Sequence, residues 1–149
     1  MILEPKTPWK GAGRDGAPFP AQKPAGPDRI RKSATILVVD DDRDFTETAG
    51  MFLEIKGYSS RTANNGLEGL ETYKAGGIDL VVSDMHMPHM NGLEMLIAIK
   101  RLEPSAKVIV CSGGADEDEK ARLMQAGALA VLKKPVEPDI LMRTIESNL

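Results

Sequence analysis

The sequence predicts an α/β fold, a doubly wound parallel sheet with helices on both of its faces. Two observations predict it: short apolar runs recur along residues 34–149, and amphipathic helical patterns separate them. Runs that are apolar throughout are typical of strands covered on both faces. The alternation of five such strands with five helices favours one parallel sheet with right-handed crossovers.

Four strands are predicted from their apolar runs, each of which ends in polar residues. The runs are Ile36–Val39, Leu80–Val82, Val108–Cys111 and Leu129–Leu132. A fifth and weaker strand, Tyr58–Thr62, is inferred mainly from its spacing between the neighbouring elements.

The helices are predicted from apolar periodicity combined with start and stop signals. Apolar residues recur at helical spacing over residues 45–53, and Gly57 follows as a C-terminal stop. Asn65 is the expected N-cap of the second helix, whose Leu67 and Leu70 are expected to face inward. The other three helices are marked by the apolar set Leu93–Ile97, the acidic start Asp116–Glu119 and the first-turn Pro138.

Composition divides the chain into two regions. Residues 1–33 hold six of the ten Pro and four Gly, which predicts a flexible arm, and seven Lys or Arg against three Asp or Glu make it basic. Residues 34–149 hold twelve basic and nineteen acidic residues and are predicted to form the single folded domain. This acidic domain has no clustered basic face, so a nucleic-acid partner is not expected.

Cellular location is predicted from what the chain lacks. A single cysteine, Cys111, excludes an internal disulfide framework. The start resembles no signal peptide, and no apolar run reaches the roughly 18 residues that cross a bilayer. We therefore expect a cytoplasmic protein without a membrane partner.

Polar residues with chemical potential follow the predicted strands at their carboxyl ends. Asp40–Asp42 follow the first strand, Asp84 ends the third, Ser112 ends the fourth and Lys134 follows the fifth. Parallel strands bring these ends to one edge of the sheet, where ligands bind in such folds. Clustered carboxylates repel one another, and a hard divalent cation such as Mg²⁺ relieves that repulsion.

Carboxylates, a metal ion, a hydroxyl and an ammonium group together favour phosphoryl transfer. A carboxylate can attack phosphorus, while cationic groups neutralise the charge on the phosphoryl oxygens. The glycine-rich loops of nucleotide sites are missing from the sequence. The phosphoryl group is therefore expected from a partner protein or a small donor, not from bound ATP.

Four motifs in this order resemble the receiver domain of two-component response regulators, similar to the small chemotaxis regulators. They are Leu37–Asp41, Val82–Gly92, Val110–Gly113 and Lys134–Pro135. The resemblance covers residues 34–149 and implies a flavodoxin-like sheet with strand order 2-1-3-4-5.

The resemblance also implies a role for each metal-binding and acceptor residue. Asp84 is the phosphoacceptor. Asp40 and Asp41 hold Mg²⁺ together with Asp84, one of them through water, and the backbone carbonyl of His86 completes the protein ligands.

Two further residues take part in phosphoryl transfer by the same resemblance. The Ser112 hydroxyl turns toward the phosphoryl oxygens, and Lys134 pairs first with the acceptor carboxylate and then with the phosphoryl group. The Lys134–Pro135 bond resembles the family's cis peptide. Asp42 is instead expected to cap the first helix, and the His86 and His89 imidazoles to face solvent.

The resulting function is a phosphorylation switch in a phosphorelay, not an enzyme that turns over a substrate. Its expected partners are a sensor histidine kinase or histidine phosphotransfer protein and a downstream protein target. Because the chain ends soon after the fifth predicted helix, we expect a stand-alone regulator without an output domain, as a monomer or weak dimer.

One position departs from the family pattern. Val131 occupies the place where the family has an aromatic residue that reports phosphorylation by swinging inward, and a Val side chain is nearly fixed at χ1. Output is therefore expected through another face or through aliphatic residues such as Met124, Val131 and Met142. The positions that tune the phosphoryl lifetime are His86 and Gly114.

Two other functions remain open from the residues. One is an interaction module of the same fold that is never phosphorylated. The other is a haloacid-dehalogenase-like phosphatase that would use Asp40 as its nucleophile. The phosphatase leaves Asp84 without a role and lacks a later acidic pair and a cap.

Overall fold

The computed structural model describes residues 34–114 and 116–149. The predicted arm, residues 1–33, lies outside the described residues. In chain order the elements are β1 (Thr35–Val39), α1 (Arg43–Ile55), β2 (Ser59–Ala63), α2 (Gly66–Lys74), β3 (Leu80–Asp84), α3 (Gly92–Leu102), β4 (Val108–Ser112), α4 (Glu117–Gln125), β5 (Ala130–Lys133) and α5 (Pro138–Glu146). None of the helices in the described part of the chain has both the length and the apolar character that a bilayer span requires.

All five strands form one parallel sheet in the order β2-β1-β3-β4-β5. This order confirms the predicted fold class. The weakest predicted strand is the edge strand β2, which pairs only with β1 and exposes most of its polar residues. The register aligns Val39 with Ser83 and Asp84 with Cys111. The carboxyl ends of the three central strands therefore lie side by side.

Helices cover both faces of the sheet, and the core is divided accordingly. Alternate residues of each strand point to opposite faces, so Ile36 and Val38 belong to one cluster and Leu37 and Val39 to the other. Helices α1 and α5 cover the first face, and α2, α3 and α4 cover the second. The helical residues buried deepest are Leu53 and Ile145 on the first face and Met95, Leu96, Ile99 and Leu123 on the second.

Side-chain caps begin the helices that surround the site. Asp42 accepts hydrogen bonds from the backbone N–H groups of Asp44 and Phe45, as expected of a cap of α1. Asn65 caps α2 and Asp116 caps α4 in the same way, each by accepting one backbone N–H. The predicted starts of these three helices are therefore correct.

The predicted inward face of α2 is only half right. Leu70 packs against the core, but Leu67 is 48% exposed. The face that meets the core runs through Gly66, Gly69, Leu70 and Tyr73, at helical spacing. A Cβ at Gly69 would lie 2.8 Å from the sulfur of Met95, so the helix packs closely through its glycines and Leu67 falls outside this face.

Candidate functional site

Four polar side chains lie at the carboxyl edge of the sheet, each positioned by a different strand. Asp40 follows β1, Asp84 and Ser112 are the last residues of β3 and β4, and Lys134 follows β5. Asp40, Asp84 and Ser112 are buried, at 1%, 9% and 0% exposure. Buried polar groups need partners, so their hydrogen bonds indicate what the site can do.

Lys134 links the two buried carboxylates. Its Nζ lies 2.8 Å from Oδ2 of Asp40 and 3.2 Å from Oδ1 of Asp84. The same Nζ lies 5.2 Å from the ring centroid of Phe45, which covers it from the α1 side. The backbone N–H of Lys134 donates to the carbonyl of Ser112 (2.9 Å), and the Lys134–Pro135 peptide is cis. One ammonium group thus pairs with both acids and balances one of their two negative charges.

Each of the two acids also accepts one backbone hydrogen bond. Oδ1 of Asp40 accepts the N–H of Asp42 at 3.0 Å, and Oδ1 of Asp84 accepts the N–H of Met85 at 2.9 Å. These bonds orient each carboxylate with respect to its own strand. Oδ2 of Asp84 therefore remains the oxygen with most freedom to take a new partner.

Three carboxylates lie close enough to hold a cation. Asp40, Asp41 and Asp84 each offer an oxygen, and these oxygens lie within 4.8 Å of one another. Asp41 is exposed, so the group opens to solvent on that side. Oxygen donors with an open side suit Mg²⁺, which keeps several waters. The backbone carbonyl of His86, the other predicted ligand, belongs to the loop that follows β3.

The pKa of Asp84 and the pKa of Lys134 are both raised, but for different reasons. Burial raises the pKa of the Asp84 carboxyl and the charge of Asp40 raises it further, although Lys134 lowers it in part. Burial lowers the pKa of Lys134, but its hydrogen bonds and charge pairing with Asp40 and Asp84 outweigh this and raise it. Lys134 thus remains charged at neutral pH, while the ionised form of Asp84 is disfavoured.

Close backbone packing fixes the position of Asp84. The N–H of Gly92 donates to the carbonyl of Met85 at 2.7 Å and so closes the loop that follows β3. A Cβ at Gly92 would lie 2.9 Å from the Cα of Met85 and nearer still to the carbonyl oxygen of Asp84. Only glycine therefore allows α3 to begin against the end of β3.

Ser112 has a partner that the sequence does not predict. Its hydroxyl donates to Oε1 of Glu119 at 3.2 Å, and Oε2 of Glu119 lies 3.5 Å from Nε2 of His86. Glu119 is not among the predicted site residues. The only sequence signal is its place three residues after the cap Asp116, which it shares with many first-turn glutamates.

Other residues near the site have packing roles. Cys111 is buried in the core, and burial raises the pKa of its thiol to about 12. Met85 and Met87 are buried as well, while the His86 imidazole is 67% exposed, as predicted. These sulfur and imidazole groups show no sign of a transition-metal site among the described residues.

The proposed aliphatic output surface needs a correction. Met124 is 45% exposed and Val131 is half-buried, but Met142 is only 5% exposed because it packs between α5 and the sheet. Met142 therefore cannot contribute to such a surface. Ile140, at 44% exposure, is the exposed apolar residue on α5.

Comparison with known proteins finds relatives of one family. A family model described as the response regulator receiver domain matches residues 36–146. The transcriptional regulatory protein GlrR of Escherichia coli K12 is 34% identical over 118 residues, which are 79% of this chain and 27% of GlrR. The sensor histidine kinase RcsC of Salmonella typhimurium is 34% identical over 110 residues, which are 74% of this chain and 12% of RcsC.

The chain thus spans about a quarter or less of the length of these two relatives. Among solved structures, a response regulator receiver domain protein from Clostridium thermocellum is 36% identical with a TM-score of 0.72. That match covers 77% of this chain and 93% of the other. By the extent of the family match and the strand order, the chain belongs to the response regulator receiver domain family.

Proposed function

We propose that residues 34–149 act as the phosphorylation switch of a two-component pathway, with Asp84 as the phosphoacceptor. One observation carries the proposal. The Asp84 carboxylate lies at the end of β3, its Oδ1 is 3.2 Å from Lys134 Nζ, and carboxylate oxygens of Asp40 and Asp41 lie within 4.8 Å of one of its oxygens. A nucleophilic carboxylate, a fixed cation and a place for a second cation are what phosphoryl transfer needs.

The proposed reaction moves a phosphoryl group from a phosphohistidine to Asp84. An oxygen of the ionised carboxylate forms a bond to phosphorus while the phosphorus–nitrogen bond breaks and the imidazole of the donor leaves. The product is an acyl phosphate on Asp84. Lys134 balances the added negative charge because its ammonium group already contacts the acceptor carboxylate.

The metal in this proposal is Mg²⁺, held by Asp40, Asp41, Asp84 and the backbone carbonyl of His86. When bound, it supplies positive charge that neutralises the phosphoryl oxygens. The clustering of three carboxylate oxygens supports the three aspartate ligands. Lys134 keeps Asp40 in place through its 2.8 Å contact.

The proposed output is a change in partner binding. Ser112 would turn from Glu119 toward the phosphoryl oxygens, and the loop after β4 would move with it. The donor class is a sensor histidine kinase or a histidine phosphotransfer protein, and the receiver is a downstream protein. We place the protein in the cytoplasm, because donors of this class take their phosphoryl group from ATP.

The proposal is tested by mass spectrometry of the intact full chain. The chain is incubated with Mg²⁺ and acetyl phosphate or phosphoramidate. We expect one phosphate-sized adduct that is lost in Asp84→Asn and retained in the control Asp118→Asn, because Asp118 is exposed on α4.

Two results would contradict the proposal. The absence of an adduct in the wild type would favour an unphosphorylated interaction module. Steady hydrolysis of a phosphate monoester that survives Asp84→Asn and is lost in Asp40→Asn would favour a phosphatase.

A further inference from the structure

We propose that Glu119 is a positioning residue that holds the Ser112 hydroxyl away from Asp84 in the unphosphorylated protein and so opposes phosphoryl capture. We call the set Glu119, Ser112 and His86 the Glu119 latch. The inference deepens the proposed function and rests on it, because Ser112 is there assigned to the phosphoryl oxygens.

The first support is the direction of the Glu119 side chain. Glu119 lies in the acidic first turn of α4 together with Glu117 and Asp118. Glu117 and Asp118 are exposed, whereas the Glu119 side chain is only 12% exposed. Among these three acids, Glu119 is thus the one that turns toward the site.

The second support is that Glu119 contacts two separate parts of the site. Its Oε1 accepts the Ser112 hydroxyl at 3.2 Å, at the end of β4. Its Oε2 lies 3.5 Å from Nε2 of His86, in the loop that follows Asp84. A single carboxylate therefore ties the end of β4, which carries the hydroxyl, to the loop that follows Asp84.

The third support is that both partners of this hydrogen bond are held in place. The backbone N–H of Glu119 donates to Oδ1 of Asp116 at 2.8 Å, so the N-cap fixes the start of α4. Ser112 is fully buried, and its hydroxyl needs a partner there. Glu119 is the acceptor that satisfies it in this structure.

The consequence follows from the single proton of a hydroxyl. Ser112 donates either to Glu119 or to a phosphoryl oxygen on Asp84, and not to both. A phosphoryl group on Asp84 also brings negative charge toward the Glu119 carboxylate, which it repels. Phosphorylation must therefore open the latch. Removing Glu119 should strengthen binding of a phosphoryl mimic about three- to tenfold, which corresponds to one hydrogen bond.

The latch itself is tested by NMR on the full, unphosphorylated chain without any phosphoryl donor. The χ1 couplings of Ser112 should report one rotamer in the wild type and several rotamers in Glu119→Ala. Glu119→Gln should keep one rotamer, because the amide oxygen still accepts the hydroxyl, although the negative charge beside His86 is lost. Glu117→Ala, on the same turn, should match the wild type. An unchanged Ser112 rotamer in Glu119→Ala would overturn the inference.

The effect on capture is tested by titrating beryllium fluoride with Mg²⁺ and measuring Kd. We expect a Kd about three- to tenfold lower for Glu119→Ala and an unchanged Kd for Glu117→Ala, with heat denaturation confirming that both variants fold. An equal fall in Kd in both variants would mean that the effect comes only from the loss of a negative charge, and it would overturn the inference. If the wild type binds no beryllium fluoride, the proposed function fails, while the rotamer measurement still decides the latch.

Discussion

The loops that follow β3 and β4 each begin directly after a site residue, Asp84 or Ser112, but they are packed very differently. Both strands are buried along their whole length, but of the two loops, as far as the structure describes them, only the loop after β3 is closed by a backbone hydrogen bond, between Gly92 and Met85. The loop after β4 contains the exposed pair Gly113 and Gly114. A Cβ at Gly114 would meet no atom of the described residues within 4 Å.

The helices that follow these loops differ in the same way. Four residues of α3 are buried, namely Gly92, Met95, Leu96 and Ile99. In α4, Leu123 is the single buried residue. Segments with few buried apolar contacts open at lower free energy than well-packed ones. The molecule thus keeps Asp84 on a rigid support, whereas Glu119 lies on a helix that opens at lower free energy.

The largest expected effect comes from disturbing the closely packed loop that follows β3. Gly92→Ala places a methyl group against the backbone of Asp84 and Met85. Backbone atoms, unlike the ends of flexible side chains, cannot move aside to make room. We expect it to lower the free energy of unfolding by about 3 kcal/mol or more, measured by urea denaturation. The control Gly114→Ala, in open space, should change it by less than about 0.5 kcal/mol. Equal losses would remove the packing contrast.

The next effect concerns the anchor of α4. Leu123→Ala removes the single buried side chain of this helix and should cost about 2–3 kcal/mol. Met124→Ala is the matched control, since Met124 is 45% exposed and should cost about 0.5 kcal/mol. Amide hydrogen exchange should rise more in α4 than in α3 for Leu123→Ala. Equal acceleration in both helices would argue against local mobility of α4.

The smallest effect concerns the charge on the rigid side. Because the pKa of Asp84 is raised, its ionised form destabilises the fold when no cation is present. This cost is absent well below the ordinary carboxyl pKa of 3.8, where Asp84 is protonated in both the folded and the unfolded state. It grows as the pH rises from there to the raised pKa and is fully present above it. At pH 7 without divalent cations, Asp84→Asn should therefore be more stable by on the order of 1 kcal/mol.

The wild type and Asp84→Asn also distinguish the effect of a bound cation from the effect of the Asp84 charge. Thermal denaturation should show the advantage of Asp84→Asn shrinking toward low pH. Added Mg²⁺ should stabilise the wild type more than the variant, because the variant lacks one of the three carboxylates. A less stable variant at pH 7 would mean that the Lys134 ion pair outweighs burial.

The sequence by itself determined the elements and the edge at which the chemistry lies. The apolar run Val108–Cys111 forms a central strand, because only a covered strand can bury every residue. Caps such as Asp42 act within a few residues and are therefore legible locally. Parallel pairing then brings Asp40, Asp84 and Lys134 together without further information.

Only the tertiary structure decided which side of each helix meets the sheet. Leu67 and Leu70 are equally apolar, yet α2 packs through its glycines and exposes Leu67. Glu117 and Glu119 are the same residue two positions apart, and only Glu119 reaches Ser112. The rotation of a helix about its axis is set by close packing against distant strands and loops, and short stretches of sequence do not contain those distances.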